Sequence, residues 1–574
     1  MSDTRTDEKA LVDLMWRISN LMRGSYTPDR YAEMAPFCAY AALLAQDAAE
    51  GMPIKAVLSE ARMDSDVRDY LLSSWDEKLD EPTQVLARQV DSAVLSDFIL
   101  HYDFSTGGGK FSGEHGTPSC ISKLALAILD VDPSDHVADF GCGYGDFFVE
   151  LAEQHPTAGL YGIDLNPAAV CLSRIRMGLL GNGALIERGD MLAGEVEGRF
   201  EKIFSNYPLG MRVASMGRGG KYYDAYRTGK TGLGRPSSAD WVFNKVICDS
   251  LVPGGTAVAI TTNGAAFNGS DKQARKYFLD NGMIKAVVAL PANLFRYTAV
   301  PTTLIILGKN EGPVRLVDAS DLSVPGRRWD TMGDDEIATV LERLAHDDDY
   351  SRLVNKEELA ATEYNLFPSR YLGRSIELEN PTSLGSLALS IERGSSLAAK
   401  DLDALTVDED TGLSYLRLSD IADGRIGHDL PHLRELGPKT ERQWLRTGDL
   451  IVSKNGAPFK IAVADVPEGQ TIMANGNLYI IRLDTDKVNP HFVAAFLASD
   501  DGKELMDRMV VGTAIPNLPL RNLKDIELPV PTMDKQREVA RRYQAHLDEI
   551  EVLKIKLDKA RAGIASAYDE VVGH

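Results

Sequence analysis

The stretch from Val137 to Leu209 constrains this chain more than any other. Four short apolar runs each lead into a loop: Asp139-Phe140-Gly141-Cys142-Gly143-Tyr144-Gly145, Asp164-Leu165-Asn166-Pro167, Arg188-Gly189-Asp190-Met191 and Asn206-Tyr207-Pro208-Leu209. Each pair reads as a strand end and the loop after it, and in an open α/β sheet such loops line one edge, where nucleotide-like cofactors bind. Glycine at alternate positions of the first loop suits a sharp strand-to-helix turn with a ligand lying close to the backbone. Asp164 follows at about the interval at which an acid meets ribose hydroxyls in Rossmann-like sheets. Taken alone, the glycine loop would serve NAD equally well, or be only a tight turn.

The series of four is more specific. It resembles the adenine-N6 DNA methyltransferases, whose glycine loop, acidic second-strand end, third-strand Asp and (Asp/Asn)-Pro-Pro-aromatic tetrapeptide come in this order. The resemblance implies S-adenosylmethionine as cofactor and no metal. Asp139, Gly141, Gly143 and Gly145 would cradle its methionine end, Asp164 with Leu165 its ribose, and Asp190 with Met191 its adenine. In the tetrapeptide position stand Asn206, Tyr207, Pro208 and Leu209. In the family, the Asn side chain and the next carbonyl accept hydrogen bonds from the target amino group, and the aromatic ring stacks on the base flipped out of the duplex. Here Tyr207 takes the second place and Leu209 the fourth, so the stacking ring is missing unless Tyr207 supplies it. Two functions follow: a methyltransferase, or a catalytically impaired relative that binds cofactor and DNA as the recognition subunit of a defence complex.

At 574 residues the chain is expected to hold two to four domains. No apolar run approaches the roughly 20 residues of a membrane helix, and the charged start Met1 to Lys9 has no signal-peptide core, so a cytoplasmic location is expected. The five cysteines and ten histidines are scattered, without metal-ligand or disulfide spacing. A net charge of −22 lowers the expectation of DNA binding without excluding it, because affinity follows local basic patches. It also suggests that a partner chain supplies part of a positive channel.

Residues 1–100 read as helical, with Leu11, Leu14, Met15, Ile18, Leu21 and Met22 at helical spacing, then Tyr40, Leu43 and Leu44. They form either a separate bundle, as precedes the catalytic domain of type I modification subunits, or a cap on the main domain. Next come Phe104 to Thr106, Gly107 to Gly109 and Gly113 to Pro118, then an apolar helix from Ile121 to Leu129. The resemblance places Thr117 and Pro118 at the cofactor's methionine end; Thr117 also suits a helix N-cap. In Met211 to Ser238, Arg212, Arg218, Lys221, Arg227, Lys230 and Arg235 alternate with Tyr222, Tyr223 and Tyr226, and Asp224 is the one acid. This reads as a flexible DNA-contacting loop, the plain alternative being a solvated insertion. A helix over Ala239 to Val252 and strands at Thr256 to Thr262, Ile284 to Leu290 and Pro301 to Leu307 follow. The Leu290-Pro291…Leu294-Phe295 pattern resembles the late sheet of type I modification subunits, giving a methyltransferase domain over 101–375.

Beyond it the character changes to short β-rich runs at Tyr415 to Leu418, Leu450 to Ser453, Ile461 to Ala464 and Leu478 to Leu483. Thr447 to Gly456 and Ala514 to Leu518, with Leu528 to Pro531 and Gln536, resemble a type I specificity subunit. They imply a target recognition domain over 376–535 and a long helix over 536–574, with Lys454 a candidate DNA contact. Val539, Tyr543, Leu547, Ile550, Leu553 and Leu557 give that helix an apolar seam. It would either pair two copies into a symmetric dimer or fold back on its own domain. No GxxxxGK[ST] loop is present, so any restriction or translocase activity belongs to a separate subunit. The expected fold is thus a Rossmann-like α/β methyltransferase core with an N-terminal helical bundle and a C-terminal α+β recognition domain ending in a long helix.

Overall fold

The computed structural model describes residues 8–24, 26–49, 51–102, 116–155, 159–196, 198–213, 219–236, 238–295, 301–326, 329–373, 376–395, 404–435, 441–456, 458–510 and 517–572. The segments around Phe104 to His115, Arg218 and Ala514 to Pro516 lie outside them. The chain divides into two compact units, Met1–Leu372 and Gly373–His574.

The first unit is built on nine strands: β1 (His136–Phe140), β2 (Gly159–Asp164), β3 (Leu185–Arg188), β4 (Phe200–Ser205), β5 (Leu251–Thr262), β6 (Ile284–Ala289), β7 (Thr302–Gly308), β8 (Val314–Asp318) and β9 (Ser351–Val354). They form one sheet in the order β3-β2-β1-β4-β5-β7-β6-β8-β9. The pairs from β3 to β5 are parallel, and β7 runs antiparallel to both β5 and β6. Strands buried on both faces need uninterrupted apolar runs, which is why β7 reads Thr-Thr-Leu-Ile-Ile-Leu-Gly with every residue buried. β1 pairs with β2 on one side and β4 on the other, so the chain reverses its direction of travel across the sheet there and leaves a crevice beyond the strand ends.

The N-terminal segment is helical: α1 (Glu8–Met22), α2 (Pro28–Gln46), α3 (Ile54–Glu60), α4 (Ser65–Ser74), α5 (Asp80–Gln89) and α6 (Ser92–His101). Helices α7 (Ser119–Leu129), α8 (Asp146–Gln154) and α9 (Pro167–Leu179) flank the first strands. The N-terminal helices share one apolar core with Ala168, Cys171, Leu172 and Ile175 of α9, so they cap the sheet domain. Arg176 ties the layers together. Its buried guanidinium donates from Nε to the Ile99 carbonyl (2.8 Å) and from Nη2 to the Tyr102 carbonyl (3.1 Å). Nη1 donates to the Tyr144 carbonyl (2.9 Å) and pairs with Asp146 (2.6 Å). Helices α10 (Lys221–Arg227) and α11 (Asp240–Ser250) lie between β4 and β5. α11 ends earlier than the sequence suggests, because Leu251 already pairs with Phe200 as the start of β5.

The second unit holds two four-stranded sheets. One orders Ala388–Arg393, Leu478–Leu483, Leu450–Ser453 and Ile461–Val463, all antiparallel. The other contains Leu413–Leu416 beside Thr471–Ala474. The last helix, Met533–Val572, is 40 residues long. Its early part docks on its own unit: Leu547 is buried, and a Cβ on Gly424 would come within 2.8 Å of the Tyr543 hydroxyl. Arg425 pairs with Asp548 and Glu551, and Lys554 with Asp423. The expected seam is therefore divided. Tyr543 and Leu547 face the domain, while Val539, Ile550, Leu553 and Leu557 are 38–55% exposed.

Replacing Arg176 by Met should lower the unfolding free energy by about 3–5 kcal/mol, as loss of one partner of a buried ion pair does. The shift of the urea midpoint of the first unit's transition checks this, and an unchanged midpoint would contradict the role given to Arg176.

Candidate active site

The loop after β1 turns through three glycines with positive φ: Gly141 (+78°), Gly143 (+51°) and Gly145 (+81°). At Gly145 a side chain is also excluded by space, since a Cβ would sit 2.5 Å from Ser173 Oγ on α9. Asp164, at the end of β2, accepts from the Gly143 amide (2.9 Å) and the Asn166 amide (2.8 Å), which locks the first two loops together. Asp139 is buried, and its Oδ1 has no hydrogen-bond partner among the described residues. Burial, then the neighbouring Asp164 and Asp146, push its carboxyl well above the usual carboxylate range. An unpartnered buried carboxylate beside a glycine turn suits a cationic ligand group, such as the ammonium of a methionine moiety.

Asp190, after β3, accepts from the Leu192 amide on Oδ1 (2.9 Å) and from the Tyr223 hydroxyl on Oδ2 (2.7 Å). Met191 beside it is buried, whereas Leu165 is 65% exposed next to Asp164 and free to cover a planar ring. These residues fit the adenosine end of the expected cofactor.

The loop after β4 is fixed at several points. Ser205 Oγ donates to the Phe140 carbonyl (2.6 Å), joining the ends of β4 and β1. Asn206 Nδ2 donates to Thr117 Oγ1 (3.1 Å), and Asn206 Oδ1 is buried without a partner among the described residues. Thr117 is not the N-cap of α7. That position falls on Pro118, which has no capping side chain, and the Thr117 hydroxyl is committed to Asn206 instead. The Thr117 amide donates to Asp146 Oδ2 (3.2 Å), so Thr117 joins both halves of the crevice.

Tyr207 points inward. It is 1% exposed, stacks on Phe243 of α11 (ring centroids 4.6 Å apart, 15° between planes) and donates to Asn244 Oδ1 (3.2 Å). It therefore cannot replace the missing stacking ring at the fourth position. Pro208 is exposed and Leu209 half-buried against the core. Asp240, one helical turn before Asn244, accepts from Thr262 Oγ1 (2.6 Å) and Thr261 Oγ1 (3.2 Å) on β5.

The basic segment differs from a flexible loop with free aromatics. Lys221–Arg227 is a helix, with Tyr222 and Tyr223 buried and Tyr222 bonded to Asp249 Oδ2 (3.0 Å). Arg212, Lys221, Arg227 and Lys230 are exposed. Lys454, in the second unit, is half-buried, and its backbone bonds to Asn477 and Leu518. The tyrosine–Asp190 bond and the Thr117–Asn206 bond were not readable from the sequence, since each joins residues far apart in the chain.

The sheet order, the glycine turn at its reversal and the polar loop after β4 define a Rossmann-like, S-adenosylmethionine-dependent methyltransferase fold. A solved type I restriction–modification methyltransferase subunit from Streptococcus thermophilus shares this fold, with a TM-score of 0.53 at 19% identity over 63% of this chain and 99% of that one. Residues 95–380 match the N-6 DNA methylase family, and residues 439–560 match the type I restriction modification DNA specificity domain. The chain thus joins an N-6 DNA methylase domain to a type I DNA specificity domain in one polypeptide. Among curated relatives, the type I restriction enzyme MpnII methylase subunit of Mycoplasma pneumoniae is 25% identical over 52% of this chain and 62% of its own length. The EcoBI specificity subunit of Escherichia coli is 27% identical over 24% of this chain and 30% of its own. The chain therefore spans less than two thirds of either relative.

If Asp139 receives a cationic group, the binding form is its carboxylate. Its raised pKa in the free protein then makes affinity for S-adenosylhomocysteine rise with pH through that pKa and level off above it, with protons released on binding. Calorimetry in buffers of different ionisation heat checks this, and Asp139→Asn should bind weakly and lose the pH dependence.

Proposed function

We propose that this chain transfers a methyl group from S-adenosylmethionine to N6 of adenine, at a double-stranded DNA sequence selected by its C-terminal unit. The observation that carries the reading is the pair of buried oxygens without a partner among the described residues, Asp139 Oδ1 near the end of β1 and Asn206 Oδ1 just after the neighbouring β4. One suits a cation and the other an N–H donor, which are what a methionine ammonium and an exocyclic amine bring.

S-adenosylmethionine, when bound, supplies an electrophilic methyl group and leaves as S-adenosylhomocysteine. Asp139, Gly141, Gly143 and Gly145, with Thr117 and Pro118, hold its methionine end. Asp164 and Leu165 hold the ribose, and Asp190 and Met191 the adenine. At the target, Asn206 Oδ1 and the Tyr207 carbonyl accept the amine hydrogens and raise electron density on the attacking nitrogen. Pro208 shapes the turn, and Leu209 borders it. The surplus amine proton goes to solvent. Catalysis on this reading is mostly positioning. The exposed cations Arg212, Lys221, Arg227 and Lys230, with Lys454 in the recognition unit, supply phosphate contacts. Any restriction or translocation activity would belong to a separate subunit.

Sequencing adenine methylation in DNA from cells expressing the chain tests the reading. Methylation at one defined motif is expected, falling about 100-fold or more with Asn206→Ala, the scale for loss of one preorganised catalytic contact. A wild-type chain that binds S-adenosylmethionine and leaves no mark would point instead to the recognition subunit without methyl transfer, which the leucine at position 209 favours.

The exposed residues Ile550, Leu553, Leu557 and Ile564 lie at a/d spacing on the last helix, 38–77% exposed. They support a symmetric dimer of this chain through the later part of that helix. Leu553→Glu with Leu557→Glu should halve the mass measured by light scattering; a mass unchanged from wild type would sink the dimer.

A further inference from the structure

We propose that Tyr223, a residue of the basic insertion, is a positioning residue that makes the cofactor site selective for the exocyclic amine of adenine by holding Asp190 as a fixed acceptor. The inference rests on the methyltransferase reading above, in which Asp190 meets the cofactor's adenine.

A carboxylate at the end of a short side chain can turn about two bonds, so a specific acceptor geometry needs both oxygens held. Here both are. The Leu192 amide donates to Oδ1 at 2.9 Å, and the Tyr223 hydroxyl donates to Oδ2 at 2.7 Å. Tyr223 is 9% exposed, and burial together with the adjacent Asp190 pushes its phenol upward, so it keeps its proton and remains the donor. Each carboxylate oxygen has a second lone pair left, and those remain for an incoming amine.

The approach of α10 to the Asp190 loop is close enough to fix the tyrosine in turn. Gly220, with φ of +98°, immediately precedes the helix; a Cβ there would lie 2.5 Å from Ala193 Cα. On the other side, a Cβ on Gly194 (φ +87°) would lie 2.8 Å from Lys221 Cβ. Two glycines, one from each segment, thus let the helix and the loop touch, and the phenol spans the remaining gap. The insertion that carries the exposed cations on one face closes the cofactor's adenine site with the other.

A fixed acceptor discriminates by polarity. An amine at the purine 6-position brings hydrogens to it, whereas a carbonyl brings a second acceptor and leaves both groups unpaired. Without the Tyr223 hydroxyl, Asp190 is held through Oδ1 alone and can turn away from a carbonyl, so the discrimination falls.

The test is equilibrium binding of S-adenosylhomocysteine and of S-inosylhomocysteine, its 6-oxo counterpart, to the full chain, with Tyr223→Phe and Tyr222→Phe compared. Both substitutions keep the ring and its packing. Tyr223→Phe should weaken S-adenosylhomocysteine about tenfold, the scale of one hydrogen bond to a charged group, while S-inosylhomocysteine changes by less than about twofold. Tyr222→Phe, which loses only the bond to Asp249, should leave the preference between the two ligands intact. Equal weakening on both ligands, or no weakening, overturns the proposal by making Tyr223 a packing residue. Wild-type protein that binds neither ligand overturns the cofactor reading itself, a result recognisable without any variant.

Discussion

The parallel pairing of β1 with β4 is the contact on which the rest of the site depends. Its register sets Val137 against Lys202, Ala138 against Ile203 and Asp139 against Phe204. Ser205 Oγ then closes onto the Phe140 carbonyl, so both chains leave the sheet side by side. Because β2 lies on the far side of β1, the loops after β1 and β4 diverge around a crevice. Within the sheet, the ladder bonds between β1, β2 and β4 occupy the backbone of these strands. Where the pairing ends, the Asp139 and Asn206 side-chain oxygens stay buried without partners among the described residues. Such a cost of burial is tolerable where a ligand completes the set, and for that reason these two atoms carry the functional reading.

The loop after β4 is made rigid in an unusual way. A proline at the second position of the tetrapeptide would restrict the backbone directly. Here the restriction comes from anchoring: the Tyr207 ring is held between the core and Phe243, and its hydroxyl by Asn244. Asp240 secures β5 behind it through Thr261 and Thr262, although burial pushes its carboxyl upward. The backbone at 206–208 is therefore set by α11 and β5 together. The tetrapeptide can depart from the family pattern while its first residue keeps a defined orientation.

Much of this was legible in the sequence where a local rule governs. The alternating glycines, the apolar strand runs and the order of Asp139, Asp164, Asp190 and Asn206 are each dictated by neighbours within a few residues, and the sheet follows from them. Side-chain direction was less legible. Nothing near Tyr207 in the chain shows that its ring would be drawn to Phe243, and the basic residues around Tyr222 and Tyr223 gave a loop where packing against Asp190 and Asp249 makes a helix. Thr117 looked like a cap because it precedes a helix, yet its hydroxyl is used 89 residues away. The seam of the last helix was visible as a periodicity, but periodicity does not say which of its turns the stretch around Gly424 covers.

The bond from Asn206 to Thr117 has a consequence for what the crevice admits. An asparagine amide is ordinarily two-faced, able to turn and offer nitrogen or oxygen as the visitor requires. With its nitrogen donating to the threonine, this one turns its oxygen to the crevice. A keto group arriving there would find oxygen facing oxygen, and a tertiary amine would have no hydrogen to offer. In the proposed reaction the crevice is thus a valve for polarity, closed to the keto edges of guanine and thymine before any ring has been measured for size.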